Sequence, residues 1–204
     1  MRDLFVSASS ILMLACVGSY ILKLFFGSTK AAPTTWGIAL IAMTLNGLTY
    51  YKIVNGAWRE LILPGIMEIA ILTILIRAIQ KGDRKKLSGI EKLCILIGGS
   101  VVITWTISNA RIANILVQIM LITSFIPTIE GLIKGYLRDH PLPWLLAVSS
   151  YVFQIALVTT NPEEWSWYAL LFPICNGILG NGSIAVAAWW RNHKDAVSIS
   201  TIST

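Results

Sequence analysis

Apolar residues run along this chain in long blocks interrupted by short polar breaks. Each block lies near the roughly 20 residues of helix that a bilayer core of about 30 Å requires. The blocks predict seven helices: Leu4–Phe26, Trp36–Tyr51, Trp58–Ile79, Ile90–Ile107, Ile112–Ile133, Trp144–Thr159 and Trp167–Trp190. The second and sixth are short, so tilt or an interfacial extension must complete them. The first block begins at Arg2-Asp3 and continues past any cleavage region, which favours a retained helix over a signal peptide.

Within these blocks the residues most at odds with lipid are at Phe172-Pro173-Ile174-Cys175-Asn176-Gly177, and again at Leu63-Pro64-Gly65-Ile66-Met67-Glu68. A proline, an amide and a carboxylate are tolerated at membrane depth only against protein or water. The recurrence extends further. Trp36 precedes Asn46 by ten residues and Trp144 precedes Gln154 by ten, while Trp58 precedes Pro64 by six and Trp167 precedes Pro173 by six. Ser19-Tyr20 can be laid on Ser124-Phe125, with a three-residue length difference before the next tryptophan.

Three helices, a linker helix and three more helices give the two repeats the same orientation. The expected fold is thus all-α, with two parallel three-helix repeats related by an axis along the membrane normal. The division reads 1–80 for the first repeat, 81–109 for a basic loop and the linker helix, 110–191 for the second repeat, and 192–204 for a polar tail.

Composition agrees with this reading. Hydrophobic residues make up 55% of the chain and charged residues 13%, and the mean hydropathy is +0.71, as in a polytopic membrane protein. The net charge of +6 comes from basic residues between the apolar blocks, which points to retained loops and not to nucleic acid. Placing the Lys81–Lys86 loop inside puts Lys23, Lys30, Arg77, Lys92, Lys134, Arg138, Arg191 and Lys194 there too. Arg2, Lys52, Arg59 and Arg111 then lie outside, which sets the N-terminus out and the C-terminus in, and suits a cell membrane.

Tryptophan positions follow the same edges, with Trp36, Trp144, Trp189 and Trp190 inside and Trp58, Trp105, Trp165 and Trp167 outside. The basic Lys81–Lys86 loop also suits anionic lipid. Association of copies is left open.

Four polar side chains are candidates for a central site: Asn46, Glu68, Gln154 and Asn176. A buried carboxylate at Glu68 can bind a proton or cation, or clamp helices as a neutral hydrogen-bonded acid. The amides donate and accept, so they suit a small polar solute, or one another as helix glue. Asn181 and Gln118 are weaker candidates of the same kind. Pro64, Pro127, Pro173 and Gly177 are hinge or packing positions. Glu130 is placed one turn from Lys134, on a solvated face. Cys16, Cys94 and Cys175 all fall within apolar blocks, an odd set that suits core positions and neither a disulfide framework nor a metal site. The chain lacks a zinc-binding helix motif, a phosphate-cradling glycine loop and a set of nucleophile, base and acid, so neither enzymatic activity nor a cofactor is expected. Seven helices would also suit a retinal protein, but the last block carries no lysine for a Schiff base.

The 3+1+3 plan with Pro173 followed by Asn176-Gly177 resembles the SWEET and PQ-loop transporter superfamily over the whole chain. The resemblance implies a carrier that exposes a central cavity alternately to each side. It also implies that Pro173 and Asn176 belong to the substrate region, and that Ser124-Phe125-Ile126-Pro127-Thr128 matches the proline-bearing first helix of the repeat. The chain departs from the family in having no Pro-Gln pair, Leu22 where a counterpart of Pro127 would stand, and no internal proline in the second or sixth helix. A carrier of a small polar molecule such as a sugar, vitamin or amino acid is the expected function. A non-transporting membrane receptor or scaffold on the same plan is the alternative.

Overall fold

The computed structural model describes residues 2–27, 29–53, 62–81, 87–160 and 167–202. Among these the chain is helical throughout: α1 (Arg2–Phe26), α2 (Pro33–Ile53), α3 (Ile62–Lys81), α4 (Gly89–Ile107), α5 (Ala110–Lys134), α6 (Pro141–Thr160), α7 (Trp167–Phe172) and α8 (Gly182–Ile202). A π-helical segment, Pro173–Asn181, joins α7 to α8. Five helical stretches are long and apolar enough to cross a membrane: Asp3–Phe26, Gly89–Ile107, Ile112–Lys134, Pro141–Thr160 and Leu170–Asp195. The protein is an integral membrane protein.

Helix boundaries follow local chemistry. Both α2 and α6 start at a proline, Pro33 and Pro141, where a missing N–H is harmless and φ is preset for a helix. They therefore begin three residues ahead of the tryptophans expected to mark their ends. A reciprocal capping box starts α4: the Ser88 hydroxyl accepts from the Glu91 N–H at 3.0 Å, and the Glu91 carboxylate accepts from the Ser88 N–H at 2.8 Å. Past Trp190 the polar segment stays helical to Ile202, supported by an Arg191–Asp195 ion pair one turn apart.

Burial is mixed: Leu24, Met120, Leu121, Leu132 and Ile184 are fully enclosed, yet much of the apolar surface points outward. Large apolar side chains such as Leu4, Ile11, Ile69, Leu96, Ile103 and Val186 face outward, while Ser9, Thr35, Thr49, Ser124, Thr128 and Ser150 are buried. Lipid removes the incentive to bury every leucine, and small and hydroxyl-bearing residues beside the enclosed apolar ones let the helices approach.

Two compact units are formed, Met1–Lys30 with Thr128–Thr204, and Ala31–Pro127. In the first unit α1 packs along α6, with Tyr20 edge-on to Trp144 at 5.4 Å and Phe5 against Phe153 at 6.2 Å. In the second, α2 packs on α3 and α4, and the Trp105 indole N–H donates to the Thr49 hydroxyl at 2.9 Å. The division falls inside α5 at the buried Pro127, whose ring removes a backbone donor from the helix.

An isolated antiparallel bridge joins the chain before α2 to the chain before α6. The Lys30 N–H donates to the Arg138 carbonyl at 2.8 Å. The preceding helices also end alike: Gly27 N–H donates to the Lys23 carbonyl and Gly135 N–H to the Gly131 carbonyl, each at 3.0 Å. Gly135 takes a φ of 81°, a region open to glycine at little cost.

Candidate functional site

In the first unit the polar side chains meet between α1, α6 and the π-helical segment. Ser150 and Gln154 are four residues apart on α6 and so share a face. That face meets Ser9 of α1. The Ser150 hydroxyl donates to the Ser9 carbonyl at 2.8 Å, so its single proton is committed. The Ser9 hydroxyl must therefore be the donor in the Ser9–Ser150 contact at 3.0 Å, and it accepts in turn from the Gln154 amide at 3.2 Å. The relay runs from amide through two hydroxyls to a carbonyl. It takes up the Gln154 amide N–H and leaves the Gln154 carbonyl oxygen out of the relay.

Tyr151, one position along α6, reaches the last helix. Its phenolic oxygen accepts from the Asn176 amide at 2.6 Å, and its ring stands edge-on to Phe172 at 5.6 Å. The ring also lies on the backbone of Gly177, where an added Cβ would overlap the Tyr151 Cβ and ring carbons. Gly177 is thus a close-approach position, and no larger residue fits without moving the tyrosine. Asn176 and Asn181 are both buried. The Asn181 side chain donates to the Asn176 carbonyl at 2.6 Å, spanning five residues, which is the spacing of the π-helix itself. Pro173 opens that segment and is buried. π-turns inside helices are frequent at functional sites, because they widen the turn and re-aim side chains.

The second unit holds the other two candidates. Asn46 is half-buried on α2, and Glu68 is half-buried on α3. The Glu68 carboxylate lies over Gly47, with its Oε1 3.7 Å from where a Cβ on Gly47 would stand. Glu68 is therefore brought against α2 at the residue that follows Asn46 in the chain, whereas Gln154 and Asn176 of the first unit are bonded to separate partners, Ser9 and Tyr151. Pro64 lies within α3. On α5, Gln118 is buried and its Oε1 is without a hydrogen-bond partner, its amide nitrogen standing 3.5 Å from Asn114 Oδ1. A buried acceptor left unpaired is uncommon and calls for an explanation.

Outside the membrane-spanning segments, Asp139 organises the approach to α6. Its carboxylate accepts from the His140 N–H at 2.7 Å and from the Trp144 indole N–H at 2.9 Å, while its carbonyl accepts from Asn192 at 3.2 Å. Burial pushes this carboxyl up to about 7, against the opposing pull of the His140 N–H, the Trp144 indole and the Lys23 charge. His140 is pushed below its usual range, chiefly by desolvation and then by Lys23.

Several expectations change. Trp144 is a buried core residue bonded to Asp139, and not only an interfacial anchor, because the carboxylate satisfies its indole within the protein. Glu130 pairs with Lys134 at 2.6 Å as expected, but its carboxylate is buried and only the lysine is exposed. The helix-ending glycines Gly27 and Gly135 stand 108 residues apart, as Trp36 and Trp144 do. Cys94 is buried, and Cys16 and Cys175 are half-buried free thiols. Residues 82–86 of the basic loop, Trp58, Trp165 and the Asn161-Pro162-Glu163-Glu164 turn lie outside the described residues.

Sequence reasoning missed Ser9, Ser150, Tyr151 and Asp139. Each is an ordinary residue in the linear sequence, and only a partner up to 141 positions away gives it a role. A signal for Asp139 was present, as an acid directly before a proline-initiated helix. The chain matches no protein-family model, no curated protein and no solved structure.

Proposed function

We propose that this protein is a membrane carrier for a small polar solute, built as two parallel three-helix repeats with a linker helix, N-terminus out and C-terminus in, in a cell membrane. Seven spans follow from the apolar blocks, with α2 and α3 completing the set. Support for the repeats comes from matched helix ends, matched prolines and matched tryptophans at one interval.

The observation that carries the reading is the Asn176–Tyr151 pair on a proline-led π-helical break in the last span. Irregular backbone at membrane depth is otherwise avoided, and it offers carbonyls and amides to a solute. Glu68 beside Gly47, and the unpaired Gln118 acceptor, supply further polar groups of the kind that recognise hydroxyl or ammonium groups. By its resemblance to SWEET and PQ-loop carriers the chain would place Asn176 at the solute.

Reconstituted vesicles test this with labelled sugars, amino acids and vitamins. Uptake of one of them is expected to fall at least tenfold in Asn176→Ala and in Glu68→Gln while the helical content is retained. Unchanged uptake in both variants removes the site. If uptake depends on a pH gradient in wild type and not in Glu68→Gln, the carboxyl couples transport to protons.

A second reading, a receptor or scaffold without transport, draws on the mutual satisfaction of Ser9, Ser150 and Gln154. There the polar groups serve helix packing. It predicts no flux of any solute and no thermal shift with small polar molecules.

A further inference from the structure

Beyond the polar cluster, the first unit carries a groove of about 710 Å³ between the end of α5 and the last helix. Ile133 forms one wall, and Leu179, Ser183, Val186 and Trp190 form the other, with Gly182 and Ala187 giving depth. Leu179, Val186, Ile133 and Trp190 are all exposed. From Leu179 to Trp190 there are 11 steps along the helix, or about 16 Å at 1.5 Å per residue. One leaflet of hydrocarbon is half of a bilayer core of about 30 Å, so the groove matches the depth of a single leaflet.

One end of the groove is chemically distinct. Trp190 closes it, and Lys194 stands over the Trp190 ring with its ammonium 5.4 Å from the centroid. Lys134, next to the groove residue Ile133 in the chain, is exposed and is bonded to Glu130 at 2.6 Å. Further along the last helix, Arg191 is paired with Asp195 at 3.0 Å and His193 is stacked on Trp189 at 5.8 Å. The two helix ends that flank the groove therefore carry three cations, Lys134, Arg191 and Lys194, against two carboxylates, Glu130 and Asp195. An apolar trough one leaflet deep, ending in an indole and ammonium groups, has the form of an amphiphile with a negative head.

We propose that this groove is a binding site for an anionic phospholipid, one acyl chain lying along Ser183 and Val186 and the phosphate meeting Lys194 and Lys134 beside Trp190. A second copy of the chain is disfavoured as occupant. An isologous contact through this face about an axis along the membrane normal would gather the lysines of both copies at the same depth. Lipid meets the same cations with opposite charge.

The test uses the full chain reconstituted in phosphatidylcholine vesicles containing brominated acyl chains, carried either on phosphatidylglycerol or on phosphatidylcholine. Bromine quenches nearby indoles, and subtraction of the Trp190→Phe signal isolates Trp190. At equal mole fraction, brominated phosphatidylglycerol is expected to win the site by several-fold, with each lysine contributing on the order of fivefold. Lys194→Gln should reduce that preference without altering quenching by phosphatidylcholine. Ser183 is exposed, so Ser183→Leu fills the trough without entering the core, and it should reduce quenching by both lipids. Equal quenching of wild type by the two lipids overturns the head-group assignment. Unchanged quenching in Ser183→Leu overturns the groove. Cross-linked dimers that Ser183→Leu abolishes would make a second copy the occupant and overturn the proposal.

Discussion

The Lys30 N–H donates to the Arg138 carbonyl at 2.8 Å, and the two residues are 108 positions apart. The same interval separates Gly27 from Gly135, Pro33 from Pro141 and Trp36 from Trp144. Residues at equivalent places in the proposed repeats are thus hydrogen-bonded to each other. The bond is a main-chain one, so it depends on a donor and not on a side chain. Lys30→Pro removes the donor and is expected to lower stability by about 0.5–1.5 kcal/mol. Lys30→Gln keeps the donor and should lower the thermal midpoint in detergent less than Lys30→Pro. Equal midpoints for both variants would show that the bridge adds nothing.

Tyr151 has two separable functions, as acceptor for Asn176 and as the ring that covers Gly177. Tyr151→Phe retains the ring and strands the Asn176 amide, a loss of about 1–3 kcal/mol. Gly177→Ala leaves the hydrogen bond intact in principle and forces the ring away, so it should be the more damaging change. Denaturation in mild detergent should rank wild type above Tyr151→Phe and Tyr151→Phe above Gly177→Ala. The reverse order would mean that the hydroxyl matters more than the close approach.

Asp139 makes stability depend on pH in an identifiable window. Its carboxyl titrates near 7 in the folded protein, against a reference value of 3.8. Between these values the folded state holds a proton that the unfolded chain has lost. Stability from this group is therefore greatest in acid and falls as pH rises through the window, with a slope approaching one proton, about 1.4 kcal/mol per pH unit. The charged neighbours are Lys23, which favours the ionised form, and His140, itself pushed towards neutrality. Asp139→Asn should remove the slope between about pH 4 and pH 7. A slope that persists unchanged in this variant assigns it to other groups.

Glu91 joins two helices of the second unit. It closes the α4 capping box and accepts from the Thr34 hydroxyl at 2.8 Å. Glu91→Ala should cost about 1–2 kcal/mol, from the lost cap together with the lost inter-helix bond. Thr34→Val removes the second alone and should cost less, which urea titration of the two variants would check.

Much of the helical plan is legible in the sequence because lipid enforces a length on every apolar block. Predicted and observed ends agree within a few residues for α1, α4 and α5. Where they differ, Trp36 and Trp144 mark the edge of the apolar block, whereas Pro33 and Pro141 set the starts of α2 and α6. The last helix continues past Trp190 because its polar residues pair with one another along the helix, a contribution that apolar length does not register. The site is legible only as a set of unusual residues. Asn176 and Gln154 stand out in an apolar block, but their partners Tyr151, Ser9 and Ser150 are common membrane-helix residues. Their roles depend on which helix faces meet, and that is decided by packing across more than a hundred positions.

The π-helical segment also fixes the azimuth of everything beyond it. A residue of α-helix advances about 100° around its axis and a residue of the wider π-helix less, so converting Pro173–Asn181 to regular α-helix with every residue kept would swing Trp190 and Lys194 away from the side that carries Ile133. The wide turn held by Asn181 and Asn176 therefore acts as a vernier between the interior of the last helix and its outer rim. A change in hydrogen bonding deep in the span can be read out as a rotation at its end.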